Sequence, residues 1–227
     1  MEVTAVFAYG TLMVPAIVSR VLGRDISDLT FQDAVLPGFS RHHITGRDYP
    51  AIISSGKLGP EDASVRGTLI SNLTPDDMRL LDVFEAEVSS GRDLADRQEY
   101  YRKHVTVSLL GDKTTGHLYK SGAGIEAAGE AQAEAYVWQE HLAGLLEPAE
   151  WSFESFLRDK ADAWAQGKHW EFEDVEKARN GSSDESELAG QKVAGYPEFG
   201  KGMRKYWKFR EGCEYDQRSG MGAQESR

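Results

Sequence analysis

The chain has 227 residues, a hydrophobic fraction of 40 % and a formal net charge of −11. That length fits one large domain or one domain with an appendage, and the apolar fraction is enough for a globular core. The acidic balance argues against a nucleic-acid surface, which needs clustered Lys and Arg, and equally against an anionic membrane.

Met1-Glu2-Val3-Thr4 has no positive region before its short apolar run, so the start does not read as a signal peptide. Val3, Val6, Phe7 and Ala8 read as a short buried strand that breaks at Tyr9-Gly10-Thr11-Leu12. A glycine there frees the backbone to turn sharply, and successive N–H groups can then converge on an anion. The same spacing also fits a plain strand-to-helix turn. Val14 to Leu22 reads as a helix, with Pro15 near its start and Gly23 just past its end. Strand patterns follow at Phe31–Leu36, at Phe39–Thr45 after the Pro37-Gly38 turn, at Ala51–Ile53 and at Ser64–Ile70. Several short strands with turn signals between them predict a closed or strongly curved sheet.

Thr74-Pro75-Asp76-Asp77 is a strong helix start: Thr74 can cap, Pro75 suits the first helical position, and the two acids complement the helix dipole. The helix runs through Met78, Leu81 and Phe84 and reaches Glu85. Glu85 lies about 40° around the helix from Leu81, so it borders the apolar stripe. Partial desolvation there raises a carboxyl pKa towards the range useful for proton transfer. Most single glutamates are solvated surface acids, so Glu85 gains meaning only alongside the Tyr9–Leu12 loop.

Val88 to Gln98 is polar and reads as an inserted loop. Tyr100–Leu110 alternates as a strand, with Thr114–Lys120 as its expected partner and Glu134–Trp138 as a further strand. Glu147-Pro148 is expected to open a helix whose apolar face is Trp151, Phe153, Phe156 and Leu157. Residues 180–187 read as a linker, and Met203–Phe209 is a basic aromatic patch. The single cysteine, Cys213, lies in this polar tail; it excludes an intrachain disulfide and suits a reducing, cytoplasmic setting. No window approaches the roughly 18 apolar residues of a membrane span.

Other chemistry is poorly supported. His42 and His43 are adjacent on a strand and point to opposite faces, so they chelate poorly, and no metal is expected. Ser19, Ser54 and Ser55 lack a nucleophile-elbow context. Ser121-Gly122-Ala123-Gly124 is not followed by the Lys-Ser/Thr of a phosphate-binding loop.

The ordered motifs resemble those of the gamma-glutamylcyclotransferase-like superfamily, in particular its AIG2-like family. Phe7-Ala8-Tyr9-Gly10-Thr11-Leu12 resembles the YGTL signature, Leu36-Pro37-Gly38-Phe39 the strand after the first helix, and Tyr49-Pro50-Ala51-Ile52 the YPAI segment. Val65-Arg66-Gly67-Thr68-Leu69, Leu81-Asp82-Val83-Phe84-Glu85 and Glu99-Tyr100-Tyr101-Arg102 follow in family order. Ala135-Tyr136-Val137-Trp138 and Trp151-Ser152-Phe153-Glu154-Ser155-Phe156 complete the match, which covers about residues 5 to 160. Residues 86–98 are longer than the family pattern, and residues after about 175 have no clear counterpart.

The resemblance implies an α+β fold: a small mixed β-barrel with flanking helices, spanning residues 1–175, followed by a polar linker and extension at 176–227. It implies an enzyme releasing 5-oxoproline and a free amine from a gamma-glutamyl amine or peptide. Glu85 would shuttle the proton, and Tyr9, Gly10, Thr11, Leu12, Tyr49, Tyr100, Arg102 and Tyr136 would bind substrate. Intramolecular ring closure needs mainly orientation and one carboxyl, so neither metal nor organic cofactor is expected. The expected partner is a small molecule bearing a carboxylate, with a homodimer or a protein contact through the extension as the macromolecular expectation. Two other readings fit the same residues: isomerisation, elimination or transfer on another small acid, and a non-enzymatic ligand-binding barrel.

Overall fold

The computed structural model describes residues 4–56, 62–85, 99–111, 127–167 and 172–180. Five strands, β1 (Thr4–Ala8), β2 (Thr30–Pro37), β5 (Ser64–Leu73), β6 (Tyr100–Leu110) and β7 (Ala127–Trp138), close into a barrel in the order β1-β5-β2-β6-β7. β3 (Phe39–His43) and β4 (Pro50–Ser54) form a separate antiparallel hairpin. Around these lie α1 (Pro15–Leu22), α2 (Pro75–Phe84), α3 (Phe153–Asp159), α4 (Ala161–Ala165) and α5 (Phe172–Asn180). The fold is the expected α+β barrel with flanking helices.

All the barrel's neighbouring strands are antiparallel except at one seam, where β1 runs parallel to β7 at Val6 and Glu134. Side chains alternate along each strand, so the two faces fill two cores. One core draws Phe7, Ala34, Leu36, Leu69, Val107 and Ala135 from all five strands and fills the barrel. The other faces the helices and gathers Val6, Ile70 and Trp138 with Ile17, Val18, Leu81 and Trp164. Gly67 marks the tightest approach: a Cβ there would lie 2.3 Å from the Ala8 carbonyl oxygen and 2.6 Å from the Phe7 ring.

The helix ends follow the expected chemistry. Gly23 takes φ 66°, the left-handed region that closes α1, and its N–H bonds to the Ser19 carbonyl at 2.9 Å. Thr74 Oγ1 accepts from the Asp77 amide at 3.1 Å, while Asp77 Oδ2 accepts from the Thr74 amide at 2.8 Å. Asp77 is 2 % exposed and also receives a two-pronged bond from the Arg24 guanidinium, at 2.9 and 2.7 Å. One buried carboxylate therefore caps α2 and ties it to the end of α1, which sets where α2 delivers Glu85.

Several elements differ from expectation. β6 pairs with β7 from Tyr100↔Trp138 to Leu110↔Ala127, so β7 is far longer than Glu134–Trp138. Its first half, Ala127–Gln132, is rich in Ala, Gly and Glu and carries a weak strand signal that the ladder overrides. The helix expected from Glu147 begins at Phe153, because Ser152 is the residue whose hydroxyl accepts the Ser155 amide. β3 ends at His43, after which Ile44 makes only an isolated bridge to Leu146. α5 continues past residue 175 and buries Phe172 and Val175. The Thr114–Lys120 strand, the Ser121–Gly124 turn, the 86–98 insertion, the 181–187 part of the linker, the 203–209 patch and Cys213 lie outside the described residues. Among the described residues no helix is long and apolar enough to cross a membrane.

Two stability outcomes follow. Gly67→Ala is expected to destabilise the barrel by about 1–3 kcal/mol, since the Cβ meets backbone that cannot yield, read as a lower urea midpoint. For Asp77, burial alone would raise the carboxyl pKa, but the Arg24 guanidinium and the Thr74 amide and hydroxyl hold it below its ordinary 3.8. A depressed native pKa means that its stabilisation is complete above that ordinary value and is lost as pH falls through the native one. Urea midpoints of the wild type and Asp77→Asn should therefore differ most near neutrality and converge in acid.

Candidate functional site at the barrel mouth

β1 ends at Ala8, and Tyr9-Gly10 carries the chain into a 3₁₀ turn at Thr11–Met13. The turn uses the amides of Met13 and Val14, which bond to the carbonyls of Gly10 and Thr11 at 3.0 and 3.1 Å. The leading amides of such a turn have no acceptor within it, so those of Thr11 and Leu12 are presented at its start. Gly10 is required by close approach: a Cβ would sit 2.8 Å from both Cγ and Cδ of Pro50. The loop is thus pressed against the start of β4.

A cleft of about 580 Å³, counting its solvent-open mouth, lies against this loop. Tyr9, Gly10, Thr11 and Leu12 line it together with Tyr49, Glu85, Tyr100 and Tyr136. Eight of the nine residues expected from sequence therefore share one cavity, although they come from β1, the β3–β4 turn, α2, β6 and β7. Arg102 stands apart from that lining and pairs with Asp82 Oδ2 at 3.4 Å. Glu85 is half-buried at the C-terminal end of α2, and its amide bonds to the Leu81 carbonyl at 2.9 Å. The helical stripe placed it at the apolar border, and there it is.

The three tyrosines form a fixed frame. Tyr9 Oη donates to the Tyr136 carbonyl at 2.5 Å, Tyr100 Oη to the Pro50 carbonyl at 2.9 Å, and Tyr136 Oη to Asp82 Oδ1 at 2.8 Å. A phenol has one proton to donate, so all three are committed to protein acceptors and only oxygen lone pairs remain to face a ligand. Burial pushes all three pKa values well above the ordinary 10.0, and the negative charge of Glu85 adds to the rise at each. That shared influence places the Glu85 carboxylate within electrostatic reach of all three rings.

Sequence reasoning gave no site role to several other lining residues. Glu99 contributes a second carboxylate, held by Arg47 Nη2 at 3.3 Å, and Arg47 Nη1 also donates to Tyr49 Oη at 2.8 Å. Glu99 was visible as the acid opening the Tyr100 strand, but nothing local shows that it turns to the cleft. Phe84 and Trp164 add apolar walls. Among the described residues there is no group of three or more His, Cys, Asp or Glu placed to hold a metal ion. His42 is buried, with Nε2 2.8 Å from Ser40 Oγ and Nδ1 2.9 Å from the Glu147 carbonyl, which makes it a structural residue.

The closed mixed barrel with flanking helices is a fold of the gamma-glutamylcyclotransferase type. A family profile described as gamma-glutamyl cyclotransferase, AIG2-like, matches residues 6–153, and the chain belongs to that family. It is 31 % identical to AIG2-like protein C of Arabidopsis thaliana over 157 residues, 69 % of this chain and 71 % of that protein. It is 32 % identical to AIG2-like protein D of the same plant over 161 residues, 68 % of this chain and 84 % of that protein. Among solved structures, an AIG2-like protein from Mus musculus superposes with a TM-score of 0.42 at 16 % identity, covering 68 % of this chain and 90 % of that one.

The frame predicts an alkaline titration in two parts. Of the nine tyrosines, Tyr9, Tyr100 and Tyr136 should stay protonated beyond the ordinary range and ionise only as the protein unfolds, read by near-ultraviolet difference absorbance. Replacing one of them with Phe should shrink that late, cooperative phase by about one third.

Proposed function

We propose that this protein is a gamma-glutamylcyclotransferase-type enzyme that converts a gamma-glutamyl amine or peptide into 5-oxoproline and a free amine. The observation that carries the reading is the shared cleft: the Tyr9–Leu12 turn and Glu85, remote in sequence, face the same space. Family membership is consistent with it, and fold alone would not license it.

The substrate α-carboxylate lies against the backbone amides at Gly10–Leu12, where converging N–H dipoles favour an anion. Its α-ammonium faces Glu85 and Glu99, with phenol oxygens as further acceptors. Glu85 takes one proton from the ammonium, and the freed amine attacks the γ-carbonyl carbon. A C–N bond forms and closes a five-membered ring as the carbonyl electrons move onto oxygen. Collapse of this tetrahedral intermediate re-forms the carbonyl and breaks the bond to the leaving nitrogen, which takes the proton held by Glu85; Glu85 then removes the second proton from the ring nitrogen and passes it to the released amine, which leaves as an ammonium. One carboxyl thus serves as base and then acid, and the charge is unchanged over the cycle. The reaction is intramolecular, so holding the chain folded for attack supplies much of the acceleration. The tyrosine protons are already committed, so the frame acts by shape and by lone pairs rather than by donating to the oxyanion.

Glu85→Gln is expected to lower 5-oxoproline release by about 10²–10⁴-fold while the melting temperature holds, since the side chain is a helix-end group outside the core. Undiminished turnover would remove Glu85 from the chemistry. Gly10→Ala should push the turn off Pro50 and cost on the order of 10²-fold in kcat/KM, as expected for misplacing a bound head group by about 1 Å. Chromatographic assay of 5-oxoproline over a panel of gamma-glutamyl amines and peptides checks both.

A further inference from the structure

Trp164 lines the cleft, yet it lies on α4, beyond residues 6–153 that the family profile matches. Its ring meets Tyr49 edge-on at 6.0 Å and 79°, and Phe84 at 6.4 Å and 80°. Each of these two neighbours adjoins a part of the proposed chemistry. Tyr49 precedes Pro50, the residue pressed against Gly10, and Phe84 precedes Glu85. Trp164 therefore packs between residues that adjoin the turn and the acid–base, and forms part of the apolar wall of the cleft they share.

That wall is held firmly from behind. The indole packs on Phe156 at 5.9 Å and on Phe172 at 6.1 Å, and is itself 2 % exposed. Phe172 opens α5 and lies under the Arg20 guanidinium at 5.9 Å, while Arg20 pairs with Glu176 and Arg179 donates to the Arg20 carbonyl at 3.2 Å. At the other end Lys160 pairs with Asp48 at 3.2 Å, next to Tyr49. α4 is thus tied through Lys160 to the β3–β4 turn and α5 through Phe172, Glu176 and Arg179 to Arg20 on α1, so the indole is a fixed surface rather than a movable cover.

We infer that Trp164 is a specificity-determining residue: with Tyr49 and Phe84 it forms an apolar wall that limits the amine portion of the substrate to a small, uncharged group. This rests on the function proposed above and narrows it. With the α-amino acid head between the Gly10–Leu12 amides and Glu85, the portion beyond the γ-carbonyl is directed at three aromatic rings. An apolar amine gains by covering them, and one that is too long collides with a wall that has no room to retreat. A methylene that no longer fits costs about tenfold or more in discrimination.

The test uses the full-length chain carrying Glu85→Gln, so that substrates bind without turning over. Calorimetry measures the affinities of gamma-glutamyl n-alkylamides of increasing length and of the benzylamide. The measurements are repeated with Trp164→Phe, which keeps an aromatic packing partner, and with Trp164→Ala, each checked for folding by near-ultraviolet circular dichroism. The expected result is an affinity that rises with length and then falls off, with the fall-off moved to longer and bulkier amines in both Trp164 variants. The affinity ratio of bulky to short amide should rise about tenfold or more. An unchanged cut-off in folded Trp164→Phe overturns the inference, as does equal weakening of every ligand, which is the mark of a purely structural role. If no gamma-glutamyl alkylamide binds either the Glu85→Gln parent or the variants, the proposed function fails and this inference falls with it.

Discussion

The hydrogen bond from the Tyr9 phenol to the Tyr136 carbonyl, at 2.5 Å, crosses the one seam where the barrel closes in parallel. That seam is short in backbone terms, a single register pair at Val6 and Glu134. A buried, correctly aimed hydroxyl adds a directional tie beyond it, and leaving the carbonyl unmet there would carry a desolvation penalty of about 1–3 kcal/mol. The tie extends further, because Tyr136 donates its own hydroxyl hydrogen bond to Asp82, one turn before Glu85 at the end of α2. One chain of side-chain bonds therefore runs from the loop through β7 to the helix, and it ties the Tyr9–Leu12 turn to the helix end that carries Glu85. Arg102 belongs to this chain through Asp82, which explains how a residue outside the cleft lining still bears on its shape.

The same network decides the electrostatics. Phenols driven well above their ordinary pKa remain neutral where the protein works, so three rings stand near two carboxylates without adding charge. The described lining contains Glu85 and Glu99 and no Lys or Arg. The described lining thus combines the backbone of the turn with two side-chain acids. Arg41 contributes from behind the loop, donating to the Tyr9 carbonyl at 3.0 Å while its second nitrogen holds Glu150 at 2.8 Å. Its positive charge is spent in positioning the turn.

The helices after residue 153 are more than a covering. Just before them Trp151 donates to the Asp48 carbonyl at 2.9 Å, and Trp164 on α4 joins Tyr49, Phe84 and Phe172 in one aromatic cluster. A barrel mouth built only from strands would leave this apolar ground open to water. Packing α4 and α5 there buries Trp164 and Phe172, and lower polarity strengthens polar interactions nearby.

What the sequence by itself determined is mostly local. Thr74-Pro75-Asp76-Asp77 specifies a helix start through capping and dipole, Gly23 specifies an end through its positive φ, and the alternation in Ser64–Ile70 and Tyr100–Leu110 specifies strands through the pleat. The ordered motifs add the family and, with it, the barrel. The helical phase of Glu85 against Leu81 placed the acid at an apolar border without any coordinates. Tertiary structure alone decided the rest, because those choices depend on residues distant in the chain. The Ala- and Gly-rich start of β7 is a strand only because β6 offers it a ladder. The helix after Trp151 starts where Ser152 can cap it, not at the nearest proline. Glu99 and Trp164 reach the cleft only because barrel closure and the clamp of α5 on Arg20 turn them there, and no local pattern encodes a direction that another segment must supply.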